Sequence, residues 1–215
     1  MNFQKHNFIE QIKSVLDQPL PGRAAQLKMS TSLPQYQKQI ETPANVRVAA
    51  VLAHFHYDQE WKLTLMERTK RGPHSGQISF PGGRVEEQDS DLIGTALREA
   101  HEEVGILPKH VEILGKLSSL YIPVSNSLVH PFVGYSKQSP DYKLEPEEVE
   151  SLIVASFTDF FNPDKLKSKN LTVGNGFQLK DVPYFDINDH VVWGATAMMM
   201  SELLVAIQQH QKINS

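Results

Sequence analysis

Three glutamates lie close together near the middle of the chain, at positions 99, 102 and 103. On an α-helix, with 100° between residues, their carboxylates fall within an arc of about 100° and share one edge. Like charges at this spacing destabilise a helix by roughly 0.2–0.5 kcal/mol per pair unless solvent or a cation offsets the repulsion. The cluster is therefore either a solvated acidic face or a cation site, and the neighbouring residues decide between the two.

The segment Phe80-Pro81-Gly82-Gly83, shortly before the glutamates, favours a cation site. Because glycine has no side chain, a backbone carbonyl and a substrate can approach the carboxylates closely. Ligation by oxygen atoms alone suits Mg²⁺ or Mn²⁺, and Mg²⁺ typically combines a few carboxylates with waters and substrate phosphates. The pattern therefore predicts a site for a hard divalent cation and a phosphorylated substrate.

Two predicted elements position these residues. Residues 68–90 are rich in Gly, Pro, Ser and charged residues, which is typical of a loop, and a loop this long in a compact domain is usually functional. In residues 91–104, apolar residues recur at helical spacing, which predicts a helix with its N-cap at Ser90 or Asp89 and its end at Gly105. The glutamates then lie on this helix.

The rest of the chain is predicted to contain more strands than helices. Residues 46–55 and 61–66 are apolar and β-branched and flank a polar YDQE turn, which predicts a hairpin. Helices are predicted at residues 7–17 and 193–209 from their apolar spacing. Further strands are predicted at residues 111–121, 128–136 and 149–156, and a further hairpin over residues 169–187.

The stretch from Gly83 to Ile106 resembles the Nudix box, G-x5-E-x7-R-E-U-x-E-E-x-G-U, where U is aliphatic. The second half of the pattern, from Arg98 to Ile106, matches at every defined position. The first half departs from it in two ways: the first acidic residue is Asp89 instead of glutamate, and one extra residue separates it from Arg98.

The segment before the box is similar to the coenzyme A pyrophosphatase-like branch of the Nudix family. That branch carries L-L-T-x-R-S-x-x-x-R-x-H-x-G-x-x-x-F-P-G-G, and residues 74–83 match its second half. The loop is one residue shorter here, and the second arginine of the pattern is missing or displaced to Arg71. With Glu147-Glu148-Val149 and residues 192–197, the resemblance spans residues 46–207.

The resemblance implies a fold and a domain organisation. The expected fold is of the α/β (α+β) class, a Nudix-like α/β/α sandwich with a mixed β-sheet. Residues 46–215 are expected to form the Nudix hydrolase domain, and residues 1–45 an N-terminal helical arm.

The resemblance also implies how the cation is held. Glu99 and Glu103 are expected to be the central metal ligands with Glu102 assisting, and a carbonyl near Gly82 or Gly83 completes the site. The expected cofactor is Mg²⁺ or Mn²⁺. Two such ions bridging a diphosphate neutralise its charge and activate a water, so the expected reaction is hydrolysis of a phosphoanhydride.

Further roles follow for the residues around the box. Arg98 is expected to orient it by pairing with Asp89 or Glu102. The general base stays open between Glu102 and Glu148, and Glu148 is almost equally well explained as part of a solvated acidic turn. The expected substrate-binding residues are Arg68, Arg71, His74, Gly82 and Gly83, the arginines because they form charge-assisted hydrogen bonds to phosphate.

The branch resemblance implies coenzyme A or an acyl-CoA as substrate, cut to 3′,5′-ADP and a 4′-phosphopantetheine. Two alternatives stay open. The missing arginine allows ADP-ribose or another nucleoside diphosphate derivative, and a Nudix domain can also sense a nucleotide without catalysis, because fold does not determine function.

The composition excludes several other classes of protein. The net charge of −4 gives no electrostatic footprint for nucleic acid, and the absence of cysteine excludes disulfides, thiolate nucleophiles and cysteine-ligated metals. No apolar run is long enough for a signal peptide or a membrane span, so a cytoplasmic protein with no membrane partner is expected. The sequence leaves a homodimer open.

Overall fold

The computed structural model describes residues 7–31, 42–70, 75–174 and 176–213. Within these ranges the helices are α1 (Phe8–Leu16), α2 (Gly22–Gln26), α3 (Leu92–Val104) and α4 (Gly194–Ile213). The strands are β1 (Arg47–Asp58), β2 (Glu60–Arg68), β3 (Ile78–Ser79), β4 (Gly82–Arg84), β5 (Val111–Lys116), β6 (Leu120–Ile122), β7 (Ser127–Ser136), β8 (Val149–Ser156), β9 (Leu166–Val173), β10 (Phe177–Ile187) and β11 (His190–Val192).

The main sheet is mixed and is built around β1. Strand β1 runs parallel to β7 and antiparallel to β2 and β4. Strand β8 extends the sheet beyond β2, and β5 and β6 extend it beyond β7. Strands β9, β10 and β11 form a separate antiparallel sheet. The mixed sheet expected from the sequence is confirmed.

Strands β1 and β2 diverge from each other, and this positions the glycine-rich segment. They pair only near their connecting turn, where His54 faces Thr64. Further on, β3 pairs with the end of β2, while β4 pairs with the beginning of β1. The segment predicted as one loop over residues 68–90 therefore contains two short strands, which the divergence of β1 and β2 accommodates. Gly82 and Gly83 lie in the second of them.

Helices cover both faces of the sheet. Because side chains alternate along a strand, Leu52 of β1 packs with α3 on one face, while Ala53 and Phe55 pack with α1 and α4 on the other. The three layers confirm the expected α/β/α sandwich.

The described part of the N-terminal arm packs into the same core. Phe8 of α1 is fully buried and stacks on Trp61, with ring centroids 4.1 Å apart. In α2, Gln26 donates a hydrogen bond of 2.9 Å to Glu202 of α4, a carboxylate that is 0% exposed. The domain boundary at residue 45 stays a prediction.

Helix α4 is the longest described helix, and its first half is almost wholly buried. Met198, Met199 and Met200 are each at most 3% exposed, as expected of core residues. No helix in the described ranges is both long and apolar enough to cross a membrane.

Candidate active site

Helix α3 carries the three glutamates, and local signals define both of its ends. Asp91 is the N-cap, with its Oδ1 accepting a 2.7 Å hydrogen bond from the backbone N–H of Gly94. The prediction of Ser90 or Asp89 as the cap is therefore wrong. Gly105 ends the helix as predicted, in the left-handed conformation with φ of 79°.

Asp89 pairs with Arg98 instead of capping the helix. Arg98 Nε lies 2.7 Å from Asp89 Oδ1, and Nη2 lies 3.0 Å from Oδ2. The Arg98 guanidinium holds the pKa of Asp89 well below its usual range, mainly through these hydrogen bonds. Nη1 of the same arginine donates to Glu99 at 3.0 Å and to Glu102 at 2.8 Å. One guanidinium therefore connects the loop to two of the three glutamates. It does so although the first acidic residue is Asp89 instead of glutamate and one extra residue separates it from Arg98.

Glu103 is the most deeply placed of the three glutamates, only 1% exposed. Its Oε2 accepts a 2.7 Å hydrogen bond from the backbone N–H of Gly82, and its Oε1 accepts one of 3.0 Å from Arg68. Burial raises the pKa of Glu103 to about 7, against the opposing effect of the Arg68 charge. A buried carboxylate is thus held between the glycine-rich segment and the end of β2.

Glu99 lies against Gly83. A Cβ atom built on Gly83 would overlap the carboxylate group of Glu99, so the missing side chain is what lets backbone and carboxylate meet. Burial is the main cause that raises the pKa of Glu99, and the charges of Glu102 and Glu148 add to it. Glu99 and Glu103 therefore both lie against the glycine pair.

We expect alanine to have different effects at Gly82 and at Gly83. In Gly82→Ala the new Cβ would overlap the backbone of Ala50 and Val51, and φ is +152°. We expect Gly82→Ala to lower the free energy of unfolding by roughly 1–3 kcal/mol. In Gly83→Ala the overlap is with the Glu99 side chain, which can move away, so we expect near-normal stability and a loss of turnover of roughly tenfold or more.

Urea denaturation and steady-state kinetics of both variants separate the two effects. Equal loss of stability in Gly82→Ala and Gly83→Ala would contradict the assignment of Gly83 to the site.

The donor set fits a hard cation, although its oxygens already have protein partners. Across the described part of the chain, no three or more His, Asp or Glu side chains are arranged closely enough to hold a metal ion. Arg98 engages Glu99 and Glu102, and Arg68 engages Glu103. Since Mg²⁺ often uses only one or two carboxylates together with waters, Glu99 and Glu103 suffice chemically.

Glu148 lies on an exposed turn directly before β8. Its backbone carbonyl accepts a 2.9 Å hydrogen bond from Thr69, the residue after β2, and the neighbouring Glu147 carbonyl accepts one of 3.0 Å from the Thr69 hydroxyl. The turn is thereby fastened beside Arg68, near the three glutamates. Whether Glu148 is the general base stays a prediction.

The expected substrate-binding residues have different outcomes. Gly82 and Gly83 lie at the glutamates, and Arg68 contacts Glu103. Arg71 and His74 lie outside the described residues. The sequence analysis did not predict the contact between Arg68 and Glu103. No local sequence pattern indicates it, because the two residues are 35 positions apart.

A cleft of about 890 Å³ opens beside the C-terminal end of α3. Glu102 forms part of its wall, together with Lys109, Lys137 and Lys143 from the loops that follow α3 and β7. A volume of this size is in the range of small-molecule and cofactor sites. The cleft therefore provides room for a nucleotide-sized ligand next to Glu102, whereas Glu99 and Glu103 do not line it.

A buried polar network lies on the same face of the sheet, beyond α3. The ring of His54 is fully buried, with Nδ1 3.1 Å from Thr64 Oγ1 and Nε2 2.8 Å from Ser136 Oγ. Tyr142 reaches Thr64 at 2.8 Å and so joins the loop after β7 to the network. Burial, with the neighbouring His56, lowers the pKa of His54 to about 3. Because side chains alternate along a strand, His54 and His56 share one face of β1, but local sequence does not indicate these partners.

This network predicts a dependence of stability on pH. Between pH 6.5 and 3 the unfolded chain binds a proton at His54 that the folded chain does not, so stability falls as the pH falls below 6.5. Between pH 7 and 5 we expect the wild type to lose about 2 kcal/mol more than His54→Gln does. Urea denaturation at both pH values checks this, and groups shared by the two proteins, such as Glu103, cancel. Parallel pH profiles would contradict the prediction.

Comparisons with known proteins identify the family of the chain. The sequence model of the NUDIX domain matches residues 45–176. NudL of Photorhabdus laumondii, described as an uncharacterized Nudix hydrolase, is 31% identical over 192 residues, which cover 85% of this chain and 99% of that protein. The human mitochondrial coenzyme A diphosphatase NUDT8 is 29% identical, over 73% of this chain and 66% of that protein. A solved MutT/nudix family protein from Enterococcus faecalis is 14% identical, with a TM-score of 0.48 over 100% of this chain and 76% of that one.

Proposed function

The chain belongs to the Nudix hydrolase family, and from this premise we propose that it hydrolyses the diphosphate bond of coenzyme A or an acyl-CoA with Mg²⁺ or Mn²⁺. The products are 3′,5′-ADP and a 4′-phosphopantetheine. The observation that carries the proposal is the contact between Glu99 and Gly83, which brings a partly buried carboxylate against a side-chain-free backbone. Nudix hydrolases act on nucleoside diphosphate derivatives and need divalent cations, and such a group of oxygen donors suits both.

The roles of the glutamates follow from their positions. Glu99 and Glu103 would hold the cations, with Glu102 assisting and the carbonyl of Gly82 or Gly83 completing the site. Bound cations would neutralise the diphosphate and activate a water.

Two other side chains prepare the site for this reaction. Arg98 keeps Glu99 and Glu102 at fixed positions through its hydrogen bonds. Glu102 or Glu148 accepts the proton of the attacking water, and both are exposed enough to pass it on to solvent. Positioning and electrostatic stabilisation then account for most of the catalysis, as in phosphoryl transfer generally.

The choice of coenzyme A is supported by three features of the chain. Residues 74–83 match the branch pattern, and the human relative NUDT8 is named a coenzyme A diphosphatase. The cleft beside Glu102 has the size of a nucleotide site, and its wall carries three lysines and four acidic side chains. Because the second arginine of the branch pattern is missing or displaced to Arg71, ADP-ribose is the second candidate substrate. The cytoplasmic location stays a prediction, and a homodimer stays open.

A comparison of kcat/KM for coenzyme A, dephospho-coenzyme A and ADP-ribose tests the substrate. We expect coenzyme A to be preferred over dephospho-coenzyme A, because only the former carries the 3′-phosphate. Preference for ADP-ribose would leave the metal site intact and overturn the coenzyme A assignment. Binding of these compounds without turnover of any would favour the sensing alternative.

A further inference from the structure

Arg68 makes a contact that the proposed hydrolysis does not explain. It is the last residue of β2, and its Nη1 lies 3.0 Å from Glu103 Oε1. The other oxygen of Glu103 accepts the backbone N–H of Gly82 at 2.7 Å. Protein donors therefore engage both oxygens of the carboxylate that lies deepest in the site, and a cation that binds Glu103 brings a second positive charge next to the Arg68 guanidinium.

Of these two donors, the Gly82 backbone is fixed. Gly82 pairs with Val51 in the sheet, and the preceding carbonyl of Pro81 accepts a 2.9 Å hydrogen bond from Leu52. A Cβ on Gly82 would overlap its neighbours on β1, so there is no space for this strand to shift toward β1.

The Arg68 side chain can leave. It is 30% exposed, whereas the side chain of Glu103 is 2% exposed, so the guanidinium has access to solvent and the carboxylate does not. Arginine is a long side chain with a planar fork of donors that suits carboxylate and phosphate equally well. Moving it from a carboxylate to a nearby phosphate group exchanges one charge-assisted partner for another.

We propose that Arg68 is an exchangeable counter-ion of Glu103: it compensates the buried carboxylate in the metal-free protein, leaves it when a divalent cation binds, and then binds the diphosphate of the substrate. The proposal rests on the proposed function, since it places the cation at Glu103. It gives Arg68 two successive partners and couples occupation of the metal site to recognition of the substrate anion.

Arg68→Met tests the first half of the proposal, that Arg68 compensates Glu103 until a cation binds. Methionine keeps much of the length of the arginine side chain and removes its charge. We expect substrate-free Arg68→Met to bind Mn²⁺ about tenfold more tightly than the wild type in calorimetric titration, since the competing cation is gone. Without metal the variant should have a lower melting temperature, because Glu103 is left buried without its partner, and Mn²⁺ should raise that temperature more than in the wild type. Arg68→Lys, which keeps the charge, should lie between the two proteins.

Lys62→Met is the matched control. Lys62 lies on the same strand and pairs with Glu60 at 2.7 Å, so the variant also removes one positive charge from a glutamate. We expect its Mn²⁺ affinity to stay within about twofold of the wild type, because Lys62 lies six residues before Arg68 on β2, roughly 20 Å along the strand, and pairs with no glutamate of the site. Mn²⁺ affinity in Arg68→Met that is equal to or weaker than the wild type would overturn the proposal, and would make Arg68 a permanent support of Glu103.

The second half of the proposal, that Arg68 binds the diphosphate of the substrate, is tested by kinetics. With saturating metal, Arg68→Met should raise KM for the diphosphate substrate about tenfold and change kcat less, because the lost contact is to the substrate anion. An unchanged KM would overturn this half. Tighter Mn²⁺ binding without hydrolysis of any substrate would contradict the proposed function while supporting the exchange at Glu103. Absence of Mn²⁺ binding in the wild type and the variant would contradict both.

Discussion

Glu103→Gln is expected to lose at least about a hundredfold of kcat/KM while the protein stays folded. Mutation of the outer partners of metal ligands typically costs 10–100-fold, and loss of a ligand's own charge costs at least as much. The amide is nearly isosteric with the carboxylate, and its oxygen can still accept the N–H of Gly82. Glutamine also removes the cost of burying a charge, the effect that raises the pKa of Glu103 to about 7. Its amide nitrogen cannot accept the hydrogen bond of Arg68, but the Arg68 side chain is 30% exposed and can turn to solvent, so we expect the free energy of unfolding to change by no more than about 1–2 kcal/mol.

The measurement is steady-state hydrolysis over a range of metal concentrations, together with circular dichroism of both proteins. Glu87→Gln serves as control, because Glu87 is an exposed acid in the loop before α3. Additional metal should restore little of the lost activity. Turnover of Glu103→Gln equal to that of Glu87→Gln would refute the assignment of Glu103 to the cation.

We expect Arg98→Met to lower the free energy of unfolding by roughly 2–4 kcal/mol, because the buried carboxylate of Asp89 is left without its partner. Asp89 is 3% exposed in its side chain and is held by two hydrogen bonds from Arg98, which itself is 16% exposed. Activity should fall as well, roughly tenfold or more, since Glu99 and Glu102 lose the donor that positions them. Lysine is a poor replacement, because a single ammonium group lacks the geometry of the fork.

Urea denaturation measures this loss, with Lys167→Met as the matched control. Lys167 also pairs with an aspartate, Asp186, but its side chain is 48% exposed, so we expect little loss of stability. In Arg98→Met combined with Asp89→Asn, part of the stability should return, because the uncompensated charge is gone. Equal stability of Arg98→Met and Lys167→Met would contradict the role given to Arg98.

The parts of the site that are local in sequence could be predicted. The span of α3, its end at Gly105 and the shared edge of Glu99, Glu102 and Glu103 follow from helical spacing and from the conformational freedom of glycine. Strand β8 was predicted with its observed bounds, because the Val149–Ser156 segment is apolar and β-branched.

The parts that depend on tertiary structure could not be predicted. The pairing of Arg68 with Glu103 requires β1 and β2 to diverge so that β3 and β4 fit between them. The choice of Asp91 over Asp89 as the helix cap depends on Arg98, which binds Asp89 from the next turns of the helix. In both cases tertiary packing selects the partner, and local sequence does not show it.

Product analysis with and without metal tests the central claim most directly. The purified protein is incubated with coenzyme A and, separately, with ADP-ribose, in Mg²⁺, in Mn²⁺ and with a chelator. The account predicts cleavage of a diphosphate bond only with a divalent ion, with 3′,5′-ADP as the product from coenzyme A. Equal cleavage in the chelator, or none of either substrate with metal, would contradict it.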